Sequence, residues 1–365
     1  MKIAFVDLQR QIRNLRKEID LAINGVLERA DFIQGKAIEE FEANFAKFCG
    51  KKYCVALNSG TDALEFALRA YGVNDGEVIT APNSYFSSAM VITKVGAKPV
   101  FLDVDEKSMN IDVSKIENAI TKKTKAIIPV HLCGQPSDLD PIYEIAEKYD
   151  LVVVEDACQA HGAEYKGKRV PVGETGAFSF YPGKNLGSFG DGGALVTDNK
   201  EVADKVRVMR NDGSRKKYYH EMIGFKSRMD TIQAAVLNVK LKHLEEWTRL
   251  RIEHAKLYNS LLKGIVETPQ EMPYVKHVYH LYQIRLDNRD ELQKYLADKG
   301  ISTVIHYPIP IHLQEAYKNL GYKEGDFPVT ERLAKRILSL PMFPEITDEE
   351  IKYVCEAVKS FCSKN

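Results

Sequence analysis

Residues 179 to 194 read Ser-Phe-Tyr-Pro-Gly-Lys-Asn-Leu-Gly-Ser-Phe-Gly-Asp-Gly-Gly-Ala. One lysine, Lys184, follows an apolar run from Ala177 to Phe180 and stands among Gly183, Gly187, Gly190, Gly192 and Gly193. Glycine lets another molecule approach the backbone closely, so this amine is open to a partner. It can grip a phosphate as a point charge or bond covalently to an aldehyde. The segment alone leaves both open.

Three more stretches carry chemistry. Ser59-Gly60-Thr61-Asp62 precedes an Ala/Leu-rich helical run, and a helix N-terminus with free N–H groups seats phosphate. A capped helix needs no ligand, so this feature implies none by itself. Tyr85, in Pro82-Asn83-Ser84-Tyr85-Phe86, can stack on a flat ring or simply pack. Asp156 follows an apolar run, which puts a carboxylate at a buried strand end, where it needs a cation, a salt bridge or a helix to cap. Taken together, a phosphate cradle, a stacking ring, a buried carboxylate for a pyridinium nitrogen and a strand-end lysine describe a site for pyridoxal 5'-phosphate (PLP).

The elements that must position these residues follow from the apolar pattern. Seven short β-rich runs are Tyr53 to Leu57, Val78 to Ala81, Pro99 to Val104, Ala126 to Val130, Leu151 to Glu155, Ala177 to Phe180 and Ala194 to Thr197. Helical stretches such as Ala63 to Ala70 and Leu139 to Lys148 fall between the earlier ones. This alternation predicts an α/β fold, a mostly parallel seven-stranded sheet with helices on both faces and its ligand site beyond the strand carboxyl ends. Residues 9 to 30 and Asp348 to Phe361 have amphipathic helical spacing, and one long helix is expected over Thr231 to Leu262. Tyr279 to Leu286 is β-rich and Arg289 to Lys299 helical. The expected division is a large domain over 1–245 and a smaller α+β domain over 246–365.

Composition narrows the partners. The 365 residues carry 51 Lys+Arg and 51 Asp+Glu, so the net charge offers no long-range attraction to nucleic acid or an anionic membrane. No secretory signal or membrane span is visible, and six scattered cysteines without a Cys-x-x-Cys pair suit reduced thiols in a cytoplasmic protein with no metal site.

The motifs resemble the DegT/StrS family of PLP-dependent nucleotide-sugar aminotransferases, which have the fold type I (aspartate aminotransferase-like) architecture. The resemblance runs from Phe5-Val6-Asp7-Leu8 to Leu340-Pro341. It is most specific at Ser59 to Leu64, Val154 to Ala160, Ser179 to Lys184, Gly190 to Gly193, Arg228-Met229-Asp230 and Gln233-Ala234-Ala235. It implies Lys184 as the catalytic residue bonded to the cofactor aldehyde and Asp156 on the pyridine nitrogen. It further implies Gln159 near the ring hydroxyl, Tyr85 on the ring face, and Gly60, Thr61 and Ser179 at the phosphate. Lys226 stands where many members have an Asn that reaches the phosphate in the partner's site. Ile305 to His312 and Tyr181 to Gly187 resemble the branch that aminates C3 of dTDP-linked 3-oxo-6-deoxyhexoses, placing His306, Tyr307 and Tyr181 near the sugar. L-Glutamate as donor and a homodimer are part of what the resemblance implies. The alternatives are a UDP-linked 3-oxo sugar acid or a 4-oxo sugar as substrate, a non-catalytic PLP-binding regulator, and a module whose lysine only grips an anion. The family's dehydratase has His at the lysine position, so Lys184 points to transamination.

Overall fold

The computed structural model describes residues 1–363. Its central sheet comprises β1 (Tyr53–Leu57), β2 (Glu77–Thr80), β3 (Lys98–Phe101), β4 (Thr124–Ile128), β5, β6 (Thr175–Ser179) and β7 (Gly193–Thr197). β5 comes in two pieces, Val152–Val153 and Glu155–Asp156, and a Val130–Asp156 bridge carries the sheet across the interruption. The spatial order is β1-β7-β6-β5-β4-β2-β3. Every neighbouring pair from β6 to β3 is parallel, whereas β7 runs against both β1 and β6. β1 therefore points the same way as β2 to β6, and six carboxyl ends share one edge.

Side chains alternate between faces along each strand. Val55, Leu57, Val78, Ala126, Ala177 and Leu195 join one apolar cluster with helices Gly60–Ala70 and Lys200–Met209. Cys54, Ala56, Ile79, Ile127, Phe178 and Val196 join the other with helices Lys36–Cys49 and Leu139–Tyr149. Burial on both faces is why these strands read as apolar runs. The expected run Ala126 to Val130 ends at Ile128 because Pro129 has no N–H to donate. The run Pro99 to Val104 stops at Phe101, and Val104 instead bridges to Ile111.

The single helix expected over Thr231 to Leu262 is two helices, Thr231–Leu241 and Leu244–Leu262. Ala234, Ala235 and Leu237 bury against a face of the central sheet, and Ala255, Tyr258 and Leu262 against a separate C-terminal cluster. One straight helix cannot serve both cores, so the chain turns at Lys242–His243. That second cluster covers the antiparallel pair β8 (Tyr282–Arg285) and β9 (Ile337–Leu340) and helices Arg289–Asp298 and Asp348–Cys362. Tyr279, at φ 45°, lies outside the strand expected to begin there. Ile3 joins the same cluster through a parallel bridge to Ile301, a contact that residues 1–10 gave no sign of. A Val304–Ser339 bridge lays the segment ahead of His306 along β9. Among the described residues no helix is long and apolar enough to cross a membrane.

Candidate active site

The shared carboxyl edge gathers the residues with chemistry. β1 ends into Ser59, β2 into Tyr85, β5 into Asp156 and Gln159, and β6 into Ser179 and the Lys184 segment. Ser59 caps the Gly60–Ala70 helix, its Oγ accepting the Asp62 N–H at 3.1 Å. A Cβ on Gly60 would meet Ser179 Cβ and Cys158 Sγ at 2.7 Å, and one on Gly193 would sit 2.1 Å from the Ser59 carbonyl carbon. Only glycine at both positions lets this helix start press against β6 and β7. The result is a row of free N–H groups beside the Ser179 hydroxyl, with the charge and donors a phosphate needs.

Asp156 is buried. Its Oδ2 accepts the Ser88 hydroxyl at 2.8 Å and its Oδ1 the Cys158 N–H at 3.2 Å, which fixes the carboxylate plane. Gln159, also buried, accepts the Cys133 N–H through Oε1 at 2.7 Å and donates from Nε2 to Tyr307 Oη at 3.2 Å. The Tyr85 ring lies 5.8 Å from that of Tyr307, tilted by 46°. Lys184 makes no side-chain hydrogen bond or ion pair among the described residues. Burial lowers its ammonium below the ordinary lysine value, against the opposing pull of Cys158, Asp156 and Cys133. A half-buried amine without a tight partner gives up its proton more readily than a solvated one.

The backbone carrying it is well held. Ser188 Oγ donates within the turn to Phe180 O or Gly190 O, at 2.8 and 2.6 Å, and the Phe189 N–H donates to Gln233 Oε1 at 2.7 Å. Buried Lys240 donates to Gly187 O at 2.7 Å, and Asn185 to Val278 O at 3.0 Å. These residues fit PLP: a donor cradle for phosphate, a carboxylate for the ring nitrogen and an unpartnered amine for the aldehyde.

Residues 13–359 match the DegT/DnrJ/EryC1/StrS aminotransferase family. The chain belongs to that family. It is a PLP-dependent sugar aminotransferase of fold type I. Among similar curated proteins is the dTDP-3-amino-3,4,6-trideoxy-alpha-D-glucose transaminase of Streptomyces venezuelae, 43% identical over 100% of this chain and 97% of that one. A UDP-2-acetamido-2-deoxy-3-oxo-D-glucuronate aminotransferase of Pseudomonas aeruginosa is 41% identical, covering 98% and 99%. A pleiotropic regulatory protein of Geobacillus stearothermophilus is 46% identical, covering 99% of each. The crystal structure of S. venezuelae DesV with a ketimine intermediate superposes with a TM-score of 0.97 at 43% identity, over 99% of this chain and 98% of that one. NtdA of Bacillus subtilis with bound PMP gives 0.92 at 33%, over 99% and 85%. Solved neighbours thus hold the cofactor in its pyridoxamine and pyridoxal forms.

Within this aminotransferase the expected residues fall into three groups. Gly60, Thr61, Ser179, Asp156, Gln159, Lys184 and Tyr307 converge at the sheet edge, and His306 adjoins them. Tyr85 and Tyr181 stand at the rim, 59% and 60% exposed. Lys226 is exposed and touches none of the others, although its neighbour Ser227 donates to Asp62 Oδ2 at 2.6 Å on the cradle helix. Sequence reasoning missed Ser88, Cys133 and Gln283. Ser88 lies three residues past Tyr85, on the first turn of a helix starting at Ser87, a spacing that could have suggested it.

Buried His161 and half-buried His280 and His306 lie close enough to the lysine to feel its charge. Burial, aided by the charge of Lys184, lowers His306 from 6.5 to about 4 and His161 to about 3, and burial lowers His277 to about 3. Each folded-state value lies below the unfolded one, so between these values the unfolded chain binds more protons. This stability is complete above pH 6.5 and is lost as pH falls towards 4 and 3. The urea midpoint is expected to fall over that window. In His306→Gln the slope should be shallower by up to about 1.4 kcal/mol per pH unit, one proton's share. An unchanged slope in a folded variant would mean that His306 titrates normally.

Proposed function

We propose that this enzyme aminates C3 of a dTDP-linked 3-oxo-6-deoxyhexose with L-glutamate as donor, in the cytoplasm and as a homodimer. The observation that carries the reading is the unpartnered Lys184 amine beside Asp156 and the Ser59–Thr61 cradle, opening towards Tyr85, Tyr181, His306 and Tyr307. The C3 assignment draws support from relatives named for 3-amino and 3-oxo sugars, on dTDP and on UDP. The dimer draws support from the apolar side chains displayed near Lys226: Tyr218, Tyr219, Met222 and Ile223 are exposed, Ile223 by 92%. Such a patch suits a second copy of the chain.

Bound in this site, PLP supplies an electron sink for the donor Cα–H bond. Gly60 and Thr61 N–H groups and the Ser179 hydroxyl would hold its phosphate, and Lys226 would serve the phosphate of a partner subunit's site. Asp156, pinned by Ser88 and Cys158, would keep the ring nitrogen protonated, Gln159 would serve the ring hydroxyl, and Tyr85 would stack on the ring. Lys184 Nζ would anchor the cofactor aldehyde, and its amine would take and return the donor Cα proton as general base and acid. Its lowered ammonium eases the loss of its proton. Tyr181, His306 and Tyr307 orient the sugar.

The test is single-turnover amination with 3-oxo and 4-oxo sugars on dTDP and on UDP. The dTDP-linked 3-oxo-6-deoxyhexose is expected to react fastest. Turnover of a 4-oxo sugar alone would overturn the regiochemistry. A faster UDP-linked 3-oxo sugar acid would favour the second reading, which the Pseudomonas relative supports.

A further inference from the structure

Four hydrogen bonds, with the backbone between them, close a ring beside the site. The Cys133 N–H donates to Gln159 Oε1 at 2.7 Å, and Gln159 Nε2 donates to Tyr307 Oη at 3.2 Å. Tyr307 is peptide-linked to His306, whose carbonyl accepts Gln283 Nε2 at 2.7 Å. Gln283 Oε1 then accepts the Cys133 thiol at 3.1 Å. Cys133, Gln159 and Gln283 are buried, so each donor and acceptor must find its partner within the protein. The ring joins a turn after β4 and the end of β5 to β8 and the 306–307 segment. Ser339 adds a brace, its Oγ within 3.0 Å of His306 Nδ1 and 3.3 Å of Gln283 Nε2.

The ring has a direction. The His306 carbonyl only accepts, so the Gln283 amide must face it with nitrogen, which leaves Oε1 for the thiol proton. The Cys133 N–H only donates, so Gln159 must meet it with oxygen and turn Nε2 towards Tyr307. Tyr307 Oη is then an acceptor inside the ring, and its own proton is free to point into the site. Cys133 holds its two contacts because its backbone is left-handed, at φ 58°, which aims the N–H and the thiol at different glutamines.

We propose that Cys133 and Gln283 are positioning residues that fix Tyr307 as a hydrogen-bond donor to an oxygen of the sugar substrate. This rests on the sugar-aminotransferase reading and adds to it the polarity of one contact. Burial raises the Tyr307 phenol well above its ordinary value, so the donor keeps its proton across the working pH range.

The test measures the two half-reactions separately on holoenzyme. Cys133→Ala, Gln283→Leu and Tyr307→Phe are each expected to slow the sugar half-reaction, as kcat/KM for the keto sugar, by about tenfold, the size of one well-placed hydrogen bond. In Cys133→Ala and Gln283→Leu the glutamate half-reaction and the visible absorbance of bound cofactor should stay within about twofold of wild type, since an orientation effect on Tyr307 leaves Lys184 and Asp156 in place. Cys133→Ser, which keeps a donor at the same left-handed position, should recover most of the loss. Cys133→Ala combined with Tyr307→Phe should be no worse than either alone. Equal losses in both half-reactions, additive losses, or failure of serine to rescue would overturn the positioning proposal while leaving the reaction standing. A wild type that holds cofactor but aminates no keto sugar would overturn both.

Discussion

Lys184→Ala is expected to lose about 10⁴-fold in transamination, the upper range for removing an acid–base group and here the group we propose to anchor the cofactor as well. The chain should fold as before. The Lys184 side chain has no hydrogen bond or ion pair among the described residues to give up, and burial already disfavours its charge, so its removal relieves a desolvation cost. The urea midpoint should be equal or higher. Borohydride treatment of the PLP-loaded wild type should fix the cofactor to the peptide carrying residues 179–194, seen as a mass increase, and the variant should show none. Lys184→Arg should not recover the loss, because a guanidinium stays charged and is no nucleophile. A variant within about tenfold of wild type would remove Lys184 from the chemistry.

The parts of this molecule legible in its sequence are those governed by local rules. Strands β1 to β7 were visible because both faces of the sheet are buried and each strand is a short apolar run. Parallel order then follows from intervening helices, which is why residues far apart in the chain, such as Ser59 and Asp156, could be expected on one edge. The failures have physical causes of the same kind. Apolar spacing continues through residues 231 to 262, so nothing local marks the break at Lys242–His243, which comes from two cores pulling on one segment. Cys133 reads as an ordinary buried thiol; its role depends on a left-handed φ that a non-glycine residue does not announce. Gln283 sits in a strand buried at every position, Tyr-Gln-Ile-Arg, and only tertiary packing against the 133 turn, the His306 carbonyl and Ser339 gives its amide partners. Tyr85 and Tyr181 were named for contact with a ring and a sugar, and their exposure in one chain is what a site completed by a second subunit would leave.

Asp156→Asn is expected to weaken cofactor binding by about 2–5 kcal/mol, or roughly 30-fold to a few thousandfold, the cost of truncating one partner of a buried charge pair. The kcat of variant saturated with PLP should fall by a further ~10²–10³, as when one preorganised electrostatic group is lost. The substitution is nearly isosteric. Asparagine can still accept the Cys158 N–H through its oxygen and meet the Ser88 hydroxyl, which can turn to accept, with its nitrogen. What changes is the charge presented to the ring nitrogen, which a neutral amide cannot keep protonated. A purely structural carboxylate behaves differently: its loss would lower the urea midpoint of the cofactor-free chain and leave affinity for PLP unchanged. Measured on one preparation, cofactor affinity and apo stability therefore separate the two roles. With the Asp156 side chain pinned by two donors, while the Lys184 side chain has no partner among the described residues, the protein spends its hydrogen bonds on holding the carboxyl group still and leaves the amine unheld.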